Sequence, residues 1–237
     1  MNIEDKKVLV TGGAKRIGKE ICTAFAEAGA KIIIHYNSSE KEALALLRKI
    51  GGVDGGHGII RADLSVREEL SKMYEMLKDV DILINNASVF NNDCLRKESI
   101  CSAKKQFDIN FWAPFELMCE LSLRRQEETV IINMLDYRIN KYGLNDGSYS
   151  ISKKSLESLT LMSALQWAPK IRVNGIASGF VMPPTGMESS TMEKSLKKVP
   201  FGKPVSVKEI SLTCLYLVKT DSVTGQIVYL DGGAHLL

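Results

Sequence analysis

Seven short runs of Val, Ile and Leu, each separated from the next by an amphipathic stretch, constrain this chain more than any other feature. The runs fall at Lys7–Thr11, Lys31–Tyr36, Gly58–Ala62, Asp81–Asn85, Thr129–Met134, Ile171–Ile176 and Gln226–Leu230. Their apolar residues are consecutive rather than alternate, as strands buried on both faces require. Helical periodicity occupies the intervals at Ile17–Ala28, Ser39–Ile50, Val66–Lys78, Ala103–Leu123, Tyr149–Trp167 and Val207–Val218. Strand and helix alternating from end to end predict an α/β fold, a doubly wound parallel sheet of about seven strands with helices on both faces. A length of 237 residues suits one such domain over residues 1–237 and is short for two.

Local signals agree with this division. Ser39-x-x-Glu42, Ser65-x-x-Glu68 and Ser206-x-x-Glu209 read as capping boxes, and Gly29 stands where a left-handed C-cap would end the first helix. Gly51–Gly58 holds five glycines and reads as a mobile surface link. Val181–Pro200, rich in proline, follows the carboxyl end of a strand. Open α/β sheets place ligands there, so it is a candidate substrate lid, with a plain surface excursion as the alternative.

A net charge of +3, with no basic block, argues against a nucleic-acid partner. No apolar run is long enough to cross a membrane, and the first residues leave no room for a signal peptide. The five cysteines show no metal-ligand spacing and read as reduced, mostly buried thiols. The expectation is a cytoplasmic protein that binds a small molecule and no metal.

The first strand runs into Thr11-Gly12-Gly13-Ala14-Lys15-Arg16-Ile17-Gly18 and then a helix. Glycines there let the backbone approach a pyrophosphate, and the helix N-terminus offers free N–H groups and a positive dipole end. Such turns also occur as plain structure, but this one opens the first βαβ unit, as a Rossmann-like dinucleotide site would. Arg16 stands where the dinucleotide fingerprint has glycine. Its side chain must point away from the backbone and could reach both phosphate and substrate. An acidic residue commonly ends the second strand where NAD is preferred. Here Asn37, Ser38 and Ser39 follow His35-Tyr36, and no carboxylate comes before Glu40. That favours NADPH/NADP+, unless these residues merely cap a helix.

Tyr149 and Lys153 share a helical face at i,i+4 spacing. A nearby cation would lower the phenol's pKa, letting Tyr149 exchange a proton near neutral pH. With the glycine turn and Asn85-Asn86-Ala87, the whole chain resembles the short-chain dehydrogenase/reductase family. Further matches are Asp63, Asn110 and Asp231-Gly232-Gly233. The resemblance implies that Thr11, Gly12, Arg16, Ile17, Gly18, Ser88 and Gly179 line the dinucleotide site. By the same resemblance, Asp63 and Leu64 flank the adenine, and Asn86 and Ala87 border its ribose. Lys153 would hold the nicotinamide ribose, Asn110 would support a proton-relaying water, and the protein would be a homotetramer.

The family usually has serine thirteen residues before the tyrosine, and here that position is Asp136. With Lys15-Arg16, Asn86-Ala87-Ser88 and Phe90, this chain is similar to pteridine reductases and the bacterial dihydromonapterin/dihydrofolate reductase branch. The resemblance implies that Phe90 stacks the substrate and Arg16 contacts substrate and cofactor. The chemistry agrees. An ionised carboxylate repels a developing oxyanion, whereas reducing a ring C=N bond needs a proton on nitrogen, which an Asp136–Tyr149 pair can supply if the carboxyl is protonated or relays from water. The branch often has arginine where Ser38 stands, and Ser178-Gly179 replaces Pro-Gly. The expected activity is NADPH-dependent reduction of a pterin-like heterocycle. The alternatives are a ketoreductase, such as a 3-oxoacyl-carrier-protein reductase, and a dinucleotide-binding regulator without turnover.

Overall fold

The computed structural model describes residues 1–91, 93–125, 127–182 and 194–237. Among the described residues, seven strands form one parallel sheet: β1 (Lys7–Val10), β2 (Lys31–Tyr36), β3 (Gly58–Arg61), β4 (Ile82–Asn85), β5 (Thr129–Asp136), β6 (Ile171–Ser178) and β7 (Ile227–Leu230). Their order is β3-β2-β1-β4-β5-β6-β7. The direction of winding reverses between β1 and β4, the switch point at which such sheets open a crevice. The chain is therefore an α/β, Rossmann-like fold, as its pattern predicts.

The helices are α1 (Arg16–Glu27), α2 (Glu40–Lys49), α3 (Arg67–Ser71), α4 (Tyr74–Leu77), α5 (Ile100–Phe107), α6 (Ala113–Arg124), α7 (Gly147–Trp167) and α8 (Val207–Lys219). Two apolar layers hold them to the sheet. Phe25, Ile32, Ile34 and Leu217 pack on one face, and Leu9, Leu83, Leu117 and Val173 on the other. Alternate residues of the same strands thus enter opposite layers, which is why the runs hold consecutive apolar residues.

Several boundaries differ from expectation. The helix expected over Val66–Lys78 is two short pieces, α3 and α4. That expected over Ala103–Leu123 is interrupted by a π-helical turn at Asp108–Trp112. β5 and β6 each run two residues further, because they pair along their whole length with Asp136 opposite Ser178. Of the three capping boxes only Ser206/Glu209 forms. Ser39 makes no side-chain cap, and Glu42 instead pairs with Lys15 at 2.8 Å. Ser65 donates its hydroxyl to Asp63, leaving Val66 as the cap of α3. Gly29 does adopt the left-handed conformation after α1, at φ 88°.

The glycine-rich link to β3 is a chain of turns closed by buried His57, whose Nδ1 accepts the Ile32 amide at 3.0 Å. All five cysteines are free, but only Cys22 and Cys214 are buried, fewer than expected. No helix among the described residues is long and apolar enough to cross a membrane. Most of the candidate lid, residues 183–193, lies outside the described residues.

Candidate active site

The turn after β1 is shaped by close backbone contacts. Gly12 has φ 61°, and a side chain on Gly18 would put its Cβ 2.3 Å from the Gly12 carbonyl oxygen. Both positions therefore exclude anything larger than glycine. Asn86 locks the turn from β4, donating its side-chain amide to the carbonyls of Thr11 and Gly12 at 2.9 and 3.1 Å. The Thr11 hydroxyl in turn accepts the amides of Asn86 and Ala87. Arg16 takes φ 52° where glycine would be at ease, and its guanidinium reaches the Met182 carbonyl at 3.3 Å.

Beside this turn lies a groove of about 350 Å³ lined by Gly12, Lys15, Arg16, Ile17, Gly18, His35, Asn37, Asp63, Leu64, Asn86, Ala87, Ser88, Val89 and Ile109. First-turn amides of a helix have no intrahelical carbonyl to bind, so the N-terminus of α1 offers donors to phosphate. A narrow glycine cradle, a helix N-terminus and two basic side chains fit a dinucleotide. Asn37 reaches the lining, whereas Ser38 and Ser39 are not among the lining residues. Asp63 accepts both the amide and the hydroxyl of Ser65, and these bonds hold its carboxyl below the ordinary value.

His35 was missed by sequence reasoning as a site residue. Its Nδ1 accepts the Gly12 amide at 3.0 Å and its Nε2 lies 3.0 Å from the Ala62 carbonyl. Burial pushes its pKa down to about 4, so the ring is neutral and pins the glycine turn to β2 and to the end of β3.

Past the switch point, Asp136 ends β5 and Tyr149 lies in the first turn of α7. The phenol donates to Asp136 Oδ2 at 2.9 Å, and the ring of Phe90 meets that of Tyr149 edge-on at 4.7 Å. Arg138, which sequence reasoning also missed, sits 3.3 Å from the same carboxylate oxygen and 5.2 Å from the Phe90 ring centre. Only its place two residues beyond Asp136 hinted at it, since a short 3₁₀ turn, Tyr137–Asn140, folds it back.

The Tyr149 pKa departs from expectation. It is raised well above the ordinary phenol value, first by burial and then by the Asp136 charge, with Arg138 pulling it down. Lys153 does not offset this. Its buried Nζ donates to the Met134 carbonyl at 2.8 Å, and burial brings its pKa down to about 8. The phenol is therefore held protonated.

Asn110 lies inside the π-helical turn, as such turns often carry functional residues. Its oxygen accepts the Ser88 hydroxyl and the Val89 amide, and its nitrogen donates to the Val89 carbonyl and the Ser152 hydroxyl. All four hydrogen-bonding positions of this side chain are in use, so it braces the β4 loop against α7. Gly179 follows β6 and backs onto Asp231, whose Cα would be 2.7 Å from any added Cβ. Asp231 accepts the Gly233 amide and the ring Nδ1 of His235, which shapes the terminal Asp-Gly-Gly turn.

A family model described as enoyl-(acyl carrier protein) reductase matches residues 12–235. The chain belongs to the short-chain dehydrogenase/reductase family. It is an NAD(P)-dependent oxidoreductase by that membership. Among solved structures, it is similar to the FolM alternative dihydrofolate reductase 1 from Brucella canis complexed with NADP. The identity is 31%, the TM-score 0.91, and the match covers 100% of this chain and 96% of that one. Among curated relatives, pteridine reductase 1 of Leishmania tarentolae is 30% identical over 96% of each chain. The 3-oxoacyl-[acyl-carrier-protein] reductase FabG of Aquifex aeolicus is 26% identical over 98% of each.

Proposed function

We propose that this short-chain oxidoreductase uses NADPH to reduce a C=N bond of a pterin-like heterocycle. The observation that carries the reading is the Asp136 carboxylate accepting the Tyr149 hydroxyl at 2.9 Å, where a carbonyl reductase would need a neutral donor. Bound in the groove beside the glycine turn, the dinucleotide supplies a hydride. The chain's own residues do the rest. Tyr149 holds the proton for the substrate nitrogen, Asp136 orients the phenol, and Lys153 holds the nicotinamide ribose. Asn110 keeps the Ser88–Val89 backbone in place, while Phe90 and Arg16 face the substrate. Thr11, Gly12, Ile17, Gly18, Asn37, Asp63, Leu64, Asn86, Ala87, Ser88 and Gly179 form the cofactor's bed. Ser38 and Ser39 contribute by adding no negative charge near a 2′-phosphate. The NADP complex of the FolM enzyme and the identity to pteridine reductase 1 support both the cofactor and the substrate class.

An NADPH oxidation screen tests the reading, with dihydrobiopterin, dihydromonapterin, dihydrofolate and an acetoacetyl thioester as substrates. Turnover of a pterin or folate is expected. Turnover of the thioester alone would assign the chain to the ketoreductases, for which the likeness to FabG is the supporting observation. The same proposal includes a cytoplasmic homotetramer joined through Ala103–Leu123 and α7, whose exposed apolar residues include Trp112, Met162 and Leu165. Light scattering measures that assembly directly.

A further inference from the structure

We infer that Arg138 is a positioning residue for proton delivery, gripping Asp136 and offsetting the negative charge that gathers on Tyr149 as the phenol releases its proton. The inference rests on Tyr149 as the proton donor proposed above. Arg138 holds both oxygens of Asp136: its backbone amide donates to Oδ1 at 2.9 Å and its guanidinium lies 3.3 Å from Oδ2. Oδ2 is also the atom that accepts Tyr149. The guanidinium stands over the Phe90 ring, and its Nε is 3.9 Å from Asp146, the residue before α7. One cation therefore touches the carboxylate, the candidate stacking ring and the entrance to the catalytic helix.

In the proton step the Tyr149 O–H bond breaks, a bond to the substrate nitrogen forms, and the electron pair stays on the phenol oxygen. The hydride to the neighbouring carbon is the one the dinucleotide supplies. A phenolate forming 2.9 Å from a carboxylate is opposed by repulsion, and a guanidinium beside both offsets it at any accessible pH. The groups facing Tyr149 are Asp136 and Arg138 from the end of β5, Ser88 and Phe90 from the β4 loop, and Lys153 from its own helix. Lys153 is turned to the Met134 carbonyl and does not offset the charge on the phenol. Asp146 and Tyr137 face Arg138 from its far side.

The test measures kcat and the Michaelis constant for the wild type, Arg138→Met and Arg138→Lys, on whichever substrate of the screen the wild type reduces. Arg138→Met should be about tenfold slower at neutral pH. The loss should fall on kcat, since the guanidinium offsets charge only as the proton leaves the phenol. Arg138→Lys should recover most of the rate, while NADPH affinity by fluorescence and thermal melting stay unchanged in both. A loss confined to the Michaelis constant, or Arg138→Lys no better than Arg138→Met, overturns the inference. If Arg138→Met fails to fold, Arg138→Gln serves the same comparison. Absence of pterin turnover by the wild type bears on the substrate reading alone, since the comparison then runs on the thioester.

Discussion

Replacing Asp136 separates the two chemistries this site could serve. An oxyanion accepting from the Tyr149 hydroxyl at an ordinary distance of about 2.7 Å would lie roughly 4–5 Å from Asp136 Oδ2, because the phenol is itself 2.9 Å from that atom. At an effective dielectric of about 20, two full charges at that range repel by about 4 kcal/mol, and a half-developed oxyanion by about 2 kcal/mol. Asp136→Ser removes this repulsion and supplies a neutral donor, so turnover of a simple ketone should rise about 30-fold from its trace level. Pterin turnover should move the other way. The phenol loses the group that orients it, and general acid catalysis by a correctly held donor contributes about 10²–10⁴-fold. Asp136→Asn and Asp136→Ser should both lower pterin kcat at least about 100-fold. Steady-state kinetics on a dihydropterin and a ketone measure both effects, with NADPH affinity and thermal melting as controls. Near-normal pterin reduction in both variants would refute the reasoning and leave Asp136 a bystander.

Phe90→Ala should raise the Michaelis constant for a pterin about three- to tenfold and leave NADPH affinity unchanged, since stacking adds about 0.5–1.5 kcal/mol beyond burial. An unchanged constant for every pterin would make Phe90 a packing residue. NADPH should bind at least about tenfold more tightly than NADH, about 1.4 kcal/mol, because no carboxylate follows β2 before Glu40. Fluorescence titration with both cofactors decides this, and equal affinities would remove the argument. His35 gives a pH dependence of stability. Its folded pKa of about 4 lies below its ordinary 6.5, so the unfolded chain binds the proton first. Its stabilisation is complete above about pH 6.5 and is lost as pH falls toward 4, by about 3 kcal/mol in all. Thermal melting between pH 7 and 4 should show a steeper decline in wild type than in His35→Asn, and parallel declines would count against a neutral buried ring.

How much of the site was legible in the sequence depends on the range of the interaction that makes each part. The β-rich runs and the glycine turn are local in origin. Val8–Val10 and Ile82–Ile84 are apolar on every residue because both sheet faces are covered, and Gly18 is glycine because the Gly12 carbonyl is too close for a Cβ. Tyr149 and Lys153 are one helical turn apart, so their shared face could be read from spacing alone. Their electrostatics could not. The expected lowering of the Tyr149 pKa depended on Lys153, yet that ammonium is occupied by Met134 of β5, nineteen residues away in sequence. Burial and Asp136 govern the phenol instead.

The sequence by itself determined the succession of strands and helices, the place of the phosphate turn and the shared face of Tyr149 and Lys153, since these follow from periodicity and from residues adjacent along the chain, while Asp136 stood out through the family resemblance. Only the tertiary structure decided that Arg138 returns to Asp136, that His35 pins the glycine turn, and that Asn110 spends its side chain bracing the β4 loop against α7. Each of those contacts joins groups brought together by sheet pairing and a short turn. Burial then sets their charge and proton affinity, and burial is a property of the packed fold rather than of any stretch of sequence.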